Sequence, residues 1–285
     1  MRRLRLYLEL VRFEHTLFAL PFAYGGMLLA AGGWPGWPTF LLVTLAMVGA
    51  RTMAMALNRH IDWRLDALNP RTQSRHLPRG LVKPGETLTL ALLGLLLRVY
   101  AGLNLNPLTA RLLPVAVFFL VFYSYTTRFT WLCHYVLGLT IGAAAAGGWI
   151  AVTGSFAPTA YALWAGVGLW IAGFDILYAT QDYTFDRAHG VKSIPARFGI
   201  PQALRVARAS HLLAWLAFLW AGVSYGAGPL YYLGLLLVGG LLLLEHRLVS
   251  PEDLSKVEVA FFQANVGVSL GMFLFIVLDL LARGA

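Results

Sequence analysis

Apolar residues run along this chain in long unbroken stretches rather than in alternation. A helix needs about 20 mostly apolar residues to cross the hydrocarbon core of a bilayer. Nine stretches approach that length, near residues 15–33, 38–57, 87–104, 108–125, 132–152, 158–178, 205–224, 229–246 and 260–281. The breaks between them are of two kinds. Some are short and rich in Gly and Pro, such as Gly32-Gly33-Trp34-Pro35-Gly36-Trp37-Pro38 and Tyr225-Gly226-Ala227-Gly228-Pro229. Turns of that composition stop helices and join antiparallel neighbours. The others are long and charged, at 58–86, 179–204 and 247–259, with a shorter one near 126–131. Continuous apolar runs exclude a transmembrane β-barrel, whose strands alternate. The pattern predicts an all-α, polytopic membrane protein with nine transmembrane helices, forming one domain over 1–285.

Composition agrees with the pattern. Of the 285 residues, 59% are hydrophobic and 12% charged, against about 25% charged in soluble domains. The net charge of +9 comes from 22 Lys and Arg against 13 Asp and Glu. In a soluble protein such a balance would suggest nucleic acid. Here its distribution explains it. With the N-terminus in the cytoplasm, 18 basic residues fall on the inner face and three, Arg98, Arg111 and Arg283, on the outer, while Arg51 lies within a span. That asymmetry is the positive-inside rule, and no nucleic-acid partner is needed. The charged loops are therefore expected in the cytoplasm, and the chain in the inner membrane of a prokaryote.

The first residues, Met1-Arg2-Arg3-Leu4-Arg5, resemble a signal-peptide start, but the segment after them is amphipathic and ends in Arg12, Glu14 and His15. It reads as an interfacial helix leading into the first span. The single cysteine, Cys133, excludes an intramolecular disulfide and reads as structural. His134 and His211, on apolar stretches, read as buried hydrogen-bonding residues. Trp34 and Trp37 suit an interfacial aromatic belt.

Chemistry concentrates in the acidic residues. Five of the 13 fall in two clusters, Asn58-Arg59-His60-Ile61-Asp62-Trp63-Arg64-Leu65-Asp66 and the run from Asp175 through Tyr178 and Asp182 to Asp186. Each begins at the cytoplasmic end of an apolar span. On a helix Asn58, Asp62 and Asp66 are one turn apart on one stripe. If the second helix continues, Asp175, Asp182 and Asp186 return to within about 20° of one azimuth, with Tyr178 beside them. Two such carboxylate stripes repel each other unless cations intervene. All-oxygen donors of this kind favour Mg²⁺, which takes few protein ligands and completes its shell with phosphate oxygens and water.

Cations surround these clusters. Arg71, Arg75 and Arg79 follow the first, Lys192 and Ser193 follow the second, and Arg128 stands nearly alone in a short loop. Arginine forks suit phosphate, so Mg²⁺ with Arg and Lys could stabilise a diphosphate leaving group. Sequence patterns for a phosphate-binding loop, a zinc hydrolase and a serine nucleophile are absent from the chain.

Taken together, these residues resemble the UbiA superfamily of intramembrane aromatic prenyltransferases. Asn58, Asp62 and Asp66 look like its first Asp-rich motif, extended by Arg71-Thr72, Arg75, Leu77-Pro78 and Gly80. Asp175, Tyr178, Asp182, Asp186, Gly190 and Lys192-Ser193 look like the second, and Tyr123-Ser124, Arg128 and Thr130 look like the segment between the fourth and fifth spans. The resemblance implies a nine-helix bundle with a lipid-open central cavity, its two motifs on the cytoplasmic loops 58–86 and 179–204. It implies Mg²⁺-dependent transfer of a polyprenyl group from polyprenyl diphosphate to a small aromatic acid. Asn58, Asp62, Asp66, Asp182 and Asp186 would serve the metal. Asn58, Arg71, Arg75, Arg128, Tyr178 and Lys192 would serve the diphosphate, and Asp175 would orient or deprotonate the acceptor hydroxyl. Asp62, Asp182, Asp175 and Arg128 are the implied catalytic set.

Two positions depart from the family pattern. Arg59 stands where many members have Asp, and Thr127 where many have Lys, so one metal ligand and one phosphate contact are missing. The segment Arg12-Phe13-Glu14-His15-Thr16-Leu17-Phe18-Ala19-Leu20-Pro21-Phe22 resembles the 4-hydroxybenzoate polyprenyltransferase-like branch. It implies 4-hydroxybenzoate as acceptor, in respiratory quinone synthesis, with Arg12 holding the carboxylate. A carboxylated dihydroxynaphthalene, in menaquinone synthesis, is the alternative acceptor. An ion-coupled transporter is the alternative of another class, and would place its carboxylates midway along broken helices.

Overall fold

A computed structural model describes residues 2–12 and 16–284; Phe13, Glu14 and His15 lie outside the described residues. Helices dominate, and among the described residues there is no strand. Among the described residues, eight helices are long and apolar enough to cross a membrane. The ninth apolar stretch forms a helix of 16 residues, α2 (Thr16–Ala31), shorter than those eight. The chain divides into two compact units, Met1–Thr16 with Leu41–Tyr125, and Leu17–Phe40 with Thr126–Ala285.

In the first unit, α1 (Arg2–Leu10) precedes most of α3 (Trp37–Leu68), then α4 (Pro84–Leu105) and α5 (Pro107–Phe122). At about 1.5 Å per residue, α3 is roughly 48 Å long, well beyond a hydrocarbon core of about 30 Å. Its polar last turns therefore emerge from the apolar zone. That length corrects the expected 58–86 loop, which begins only after Leu68. The i, i+4 spacing of Asn58, Asp62 and Asp66 suits continued helix, and no Gly or Pro interrupts it. α3 and α4 approach closely where Gly94 lies, since a Cβ there would come within 2.5 Å of the Met53 nitrogen. α4 turns an i, i+4 row, Leu88, Leu92 and Leu96, outward, the stripe a lipid-facing helix needs. Asn106 caps α5 by accepting from the Thr109 amide at 3.0 Å, with Pro107 at the first helical position. A 3₁₀ turn, Tyr123–Arg128, follows.

The second unit contains α2, α6 (Cys133–Thr153), α7 (Pro158–Ala179), α8 (Tyr183–His189), α9 (Ile194–Phe198), α10 (Ile200–Tyr225) and α11 (Pro229–Leu248). It ends in α12 (Val257–Val259), a π-helical turn at Ala260–Ala264 and α13 (Asn265–Ala282). α7 is the most buried of the eight spans, packed against α6 and α10. Its core is aromatic: Phe22 stacks on Phe218, and Trp170 meets Phe174 edge-on. A buried polar chain ties the helices together. The Trp170 indole donates to Asn265 Oδ1 at 2.7 Å, and Asn265 donates to Glu245 at 2.8 Å. The Asn265 amide also donates to the Phe261 carbonyl, 2.9 Å away in the π turn. Trp34 and Trp37 are exposed, as an interfacial belt requires.

Helix α7 does not continue through the second cluster. The Thr180 hydroxyl donates to the Leu177 carbonyl at 2.6 Å, and the chain tightens to 3₁₀ over Thr180–Asp182 before α8. A side chain that bonds the preceding turn competes with the regular ladder. The expected 179–204 loop is thus largely helical, and the single stripe through Asp175, Asp182 and Asp186 is broken.

Candidate active site

In the first unit, the end of α3 carries three polar residues at successive turns. The Asn58 amide donates to Asp62 Oδ2 at 2.9 Å and to the Ser124 hydroxyl at 3.4 Å. The nearby Tyr123 hydroxyl donates to the Ala54 carbonyl at 3.2 Å, so the 3₁₀ turn after α5 is pinned to α3. One turn on, Asp66 is held differently. A single Arg75 nitrogen lies 2.7 and 2.8 Å from its two oxygens, and both side chains are largely buried. The loop that returns Arg75 is built by Asn69, whose side chain accepts from the Arg71 amide at 2.9 Å, and by Thr72, which donates to the Asp66 carbonyl at 3.0 Å. Leu77 and Val82 anchor it against Leu10 and Val11 of the N-terminal segment.

Beside this loop lies a cavity of about 230 Å³ lined by Arg12, Arg59, Arg75, Glu9 and His76 among others. Three guanidinium groups against one carboxylate favour an anion. Arg59 is buried there. Arg12 has φ of 49°, a conformation uncommon outside glycine, and its carbonyl accepts from Arg51 at 2.9 Å.

In the second unit, α8 closes on Gly190, whose φ of 69° is left-handed, a region where a Cβ is penalised. The chain folds back, and the Ser193 hydroxyl donates to Asp186 Oδ2 at 2.8 Å while accepting from the Ala196 amide to cap α9. The reversed segment is pinned on its other side too. Lys192 donates its amide to the Thr127 carbonyl at 2.6 Å, and the Cys133 thiol donates to the Lys192 carbonyl at 3.3 Å. Asp175, near the end of α7, accepts from His134 at 2.7 Å. Tyr178 packs on Phe261, ring centres 4.3 Å apart, above a cluster of Phe18, Phe174 and Phe262. Lys192 and Arg128 are exposed.

The structure thus places Asn58 with Asp62, and Asp66 with Arg75, in one unit, and Asp186 with Ser193 in the other. Asp66 and Arg75, expected to serve metal and diphosphate, bind each other. Ser193 and Ser124, which fall within the motif segments, and His134, which read only as a buried hydrogen-bonding residue, support expected site residues. All the donors are oxygens, as Mg²⁺ prefers. Among the described residues, no three His, Cys, Asp or Glu side chains converge on one metal position. Mg²⁺ on a diphosphate needs only one or two carboxylates, so the donor set fits it.

The chain is thus a helical membrane protein whose apolar spans end in braced carboxylates and arginines. The model of the UbiA prenyltransferase family matches residues 19–275, and the chain belongs to that family. It is 33% identical over 266 residues to the 4-hydroxybenzoate octaprenyltransferase of Nitrosospira multiformis, with 91% of this chain and 89% of the relative covered. Its fold is similar to that of an apo UbiA homologue from Aeropyrum pernix K1, with a TM-score of 0.85 at 32% identity, covering 93% of this chain and 98% of that one. An Archaeoglobus fulgidus homologue bound to DMAPP and Mg²⁺ has a similar fold, at a TM-score of 0.65 and 19% identity over 93% of this chain and 98% of its own.

Proposed function

We propose that this integral membrane enzyme transfers a polyprenyl group from a polyprenyl diphosphate to 4-hydroxybenzoate, with Mg²⁺ as cofactor. The observation that carries the proposal is the bracing of its carboxylates at the ends of apolar helices. Asp62 is oriented by Asn58 and Asp186 by Ser193, as metal-binding carboxylates are held by neighbours. The resemblance to 4-hydroxybenzoate octaprenyltransferases and the homologue bound to DMAPP and Mg²⁺ support it.

In the first unit Asn58, Asp62 and Asp66 would serve the metal, and in the second Asp182 and Asp186 would do so. Bound Mg²⁺ would neutralise diphosphate charge and make it a better leaving group. Arg128 and Lys192 would contact the diphosphate, and Arg71 and Arg75 would support its binding. The allylic C–O bond breaks with its electron pair leaving on the diphosphate. The acceptor ring attacks the allylic carbon and then loses its ring proton to the released diphosphate. Tyr178 and the phenylalanines beneath it offer π faces to the allylic cation and keep water from it. Asp175 would accept a hydrogen bond from the acceptor hydroxyl and enrich the ring, and Arg12 would hold the acceptor carboxylate. The excess of basic residues on one set of loops favours a site on the cytoplasmic face of a prokaryotic inner membrane.

The test is purified protein in liposomes with Mg²⁺, geranyl diphosphate and either 4-hydroxybenzoate or 1,4-dihydroxy-6-naphthoate, read by mass spectrometry. A prenylated benzoate supports the proposal. A prenylated naphthoate alone would keep the chemistry and overturn the acceptor. Mg²⁺-dependent ion flux without any product would overturn the enzyme reading in favour of transport.

A further inference from the structure

His134 lies at the start of α6, almost fully buried, and makes two hydrogen bonds of opposite sense. Its Nε2 receives the backbone N–H of Ile194 at 3.3 Å. That nitrogen must therefore offer a lone pair, which puts the ring hydrogen on Nδ1. Nδ1 lies 2.7 Å from Asp175 Oδ2, so a neutral imidazole donates to the carboxylate. Asp175 itself keeps 28% of its side chain exposed while His134 keeps 3%. Among the described residues no other hydrogen bond to Asp175 is found, so its Oδ1 stays open to a ligand. On the imidazole's other side, Ile194 follows directly on Lys192 and Ser193. That short segment is already fixed by Thr127, Cys133 and Asp186.

We infer that His134 is a positioning residue that sets Asp175 and the Lys192–Ser193 segment in register with each other. The inference rests on the roles proposed above for Asp175 at the acceptor and Lys192 at the diphosphate. Its two bonds serve different substrates. The Nδ1–H bond aims the carboxylate that meets the acceptor. The Nε2 bond holds the backbone that presents Lys192 and Ser193. A buried histidine with a purely structural role would affect both substrates alike, through folding.

Two conservative variants separate the bonds. His134→Asn places an amide donor near Nδ1 and leaves the Ile194 N–H without an acceptor. His134→Gln places an amide oxygen near Nε2 and leaves Asp175 without its donor. Steady-state kinetics with geranyl diphosphate and 4-hydroxybenzoate, and calorimetric binding of geranyl diphosphate with Mg²⁺, read the two effects. His134→Asn is expected to keep most of kcat and weaken geranyl diphosphate binding, raising its KM. His134→Gln is expected to keep that KM and lower kcat about 10- to 100-fold, the worth of one charge-assisted hydrogen bond. His134→Leu is expected to lose both. Asn and Gln variants that lose kcat and binding in the same proportion, in step with a fallen thermal midpoint, would overturn the inference. Asp175→Asn separates the underlying reading, because wild-type turnover in that variant would sink the acceptor role of Asp175 whatever His134 does.

Discussion

Arg75 sets one guanidinium nitrogen between the two carboxylate oxygens of Asp66, at 2.7 and 2.8 Å. The pair joins the last turns of α3 to the loop nine residues on. Because both side chains are largely buried, removing either leaves the other charge poorly solvated. Breaking such a pair costs about 3–5 kcal/mol. Asp66→Asn and Arg75→Met should each lower the thermal midpoint in detergent sharply, whereas the double variant should recover part of the loss. Turnover should stay low in the double variant if Asp66 also serves the metal. A thermal-shift series beside the prenylation assay checks both expectations.

The spans and the first motif were legible in the sequence for physical reasons. Hydropathy over some 20 residues reports only whether a segment can sit in hydrocarbon, and it found α4, α5, α6, α7, α10, α11 and α13 near their observed limits, while α3 runs on past its apolar stretch and α8, α9 and α12 lie in segments read as loops. The spacing of Asn58, Asp62 and Asp66 needed only that α3 continue past the apolar zone, which it does. What spacing could not reveal depends on contacts made after the chain folds back. His134 and Asp175 are 41 residues apart, on two helices that meet only through packing. Arg75 read as a diphosphate contact, and nothing in its neighbourhood named Asp66 as its partner. The break at Thr180–Asp182 turned on one hydroxyl bonding the preceding turn, a choice that hydropathy does not record.

Ser193 does two jobs with one hydroxyl, donating to Asp186 and capping α9. Ser193→Ala should lose about 1 kcal/mol as a cap and should also remove a hydrogen bond that orients Asp186. The expected outcome is a modest fall in thermal midpoint together with a raised Mg²⁺ requirement. Ser193→Thr keeps the hydroxyl and should recover both. Were Mg²⁺ titrations of Ser193→Ala to overlay those of the wild type, Ser193 would be a cap alone.

Docking of α1 should depend on pH through Glu9. Arg5, and after it His76, hold the Glu9 carboxyl below its usual range by hydrogen bonding. A depressed folded pKa stabilises the folded form above the unfolded value, about 4.3, and that contribution disappears as pH falls through the folded value. Protease nicking near residues 2–12 should therefore be constant from pH 7 to 5 and increase only in more acidic buffer. Glu9→Gln should be nicked at the same rate at both ends of that range. An unchanged nicking rate for the wild type in acid would remove Glu9 from the docking of α1.

Asn58 supplies the last expectation. The first-motif reading makes it a metal ligand, yet in the structure its amide group donates to Asp62 and reaches Ser124. Oxygen ligates metal and N–H does not, so the observed orientation makes Asn58 a brace for Asp62. Loss of a partner that orients a ligand typically costs about 10- to 100-fold in metal affinity. Asn58→Leu should therefore raise the Mg²⁺ concentration for half-maximal turnover by about that factor, with the maximal rate at saturating Mg²⁺ largely restored. Loss of Asp62 itself, in Asp62→Ala, should not be recovered by any Mg²⁺ concentration. A Mg²⁺ titration of the two variants side by side distinguishes a brace from a ligand, and an Asn58→Leu enzyme that excess Mg²⁺ cannot rescue would return Asn58 to the metal's own coordination shell.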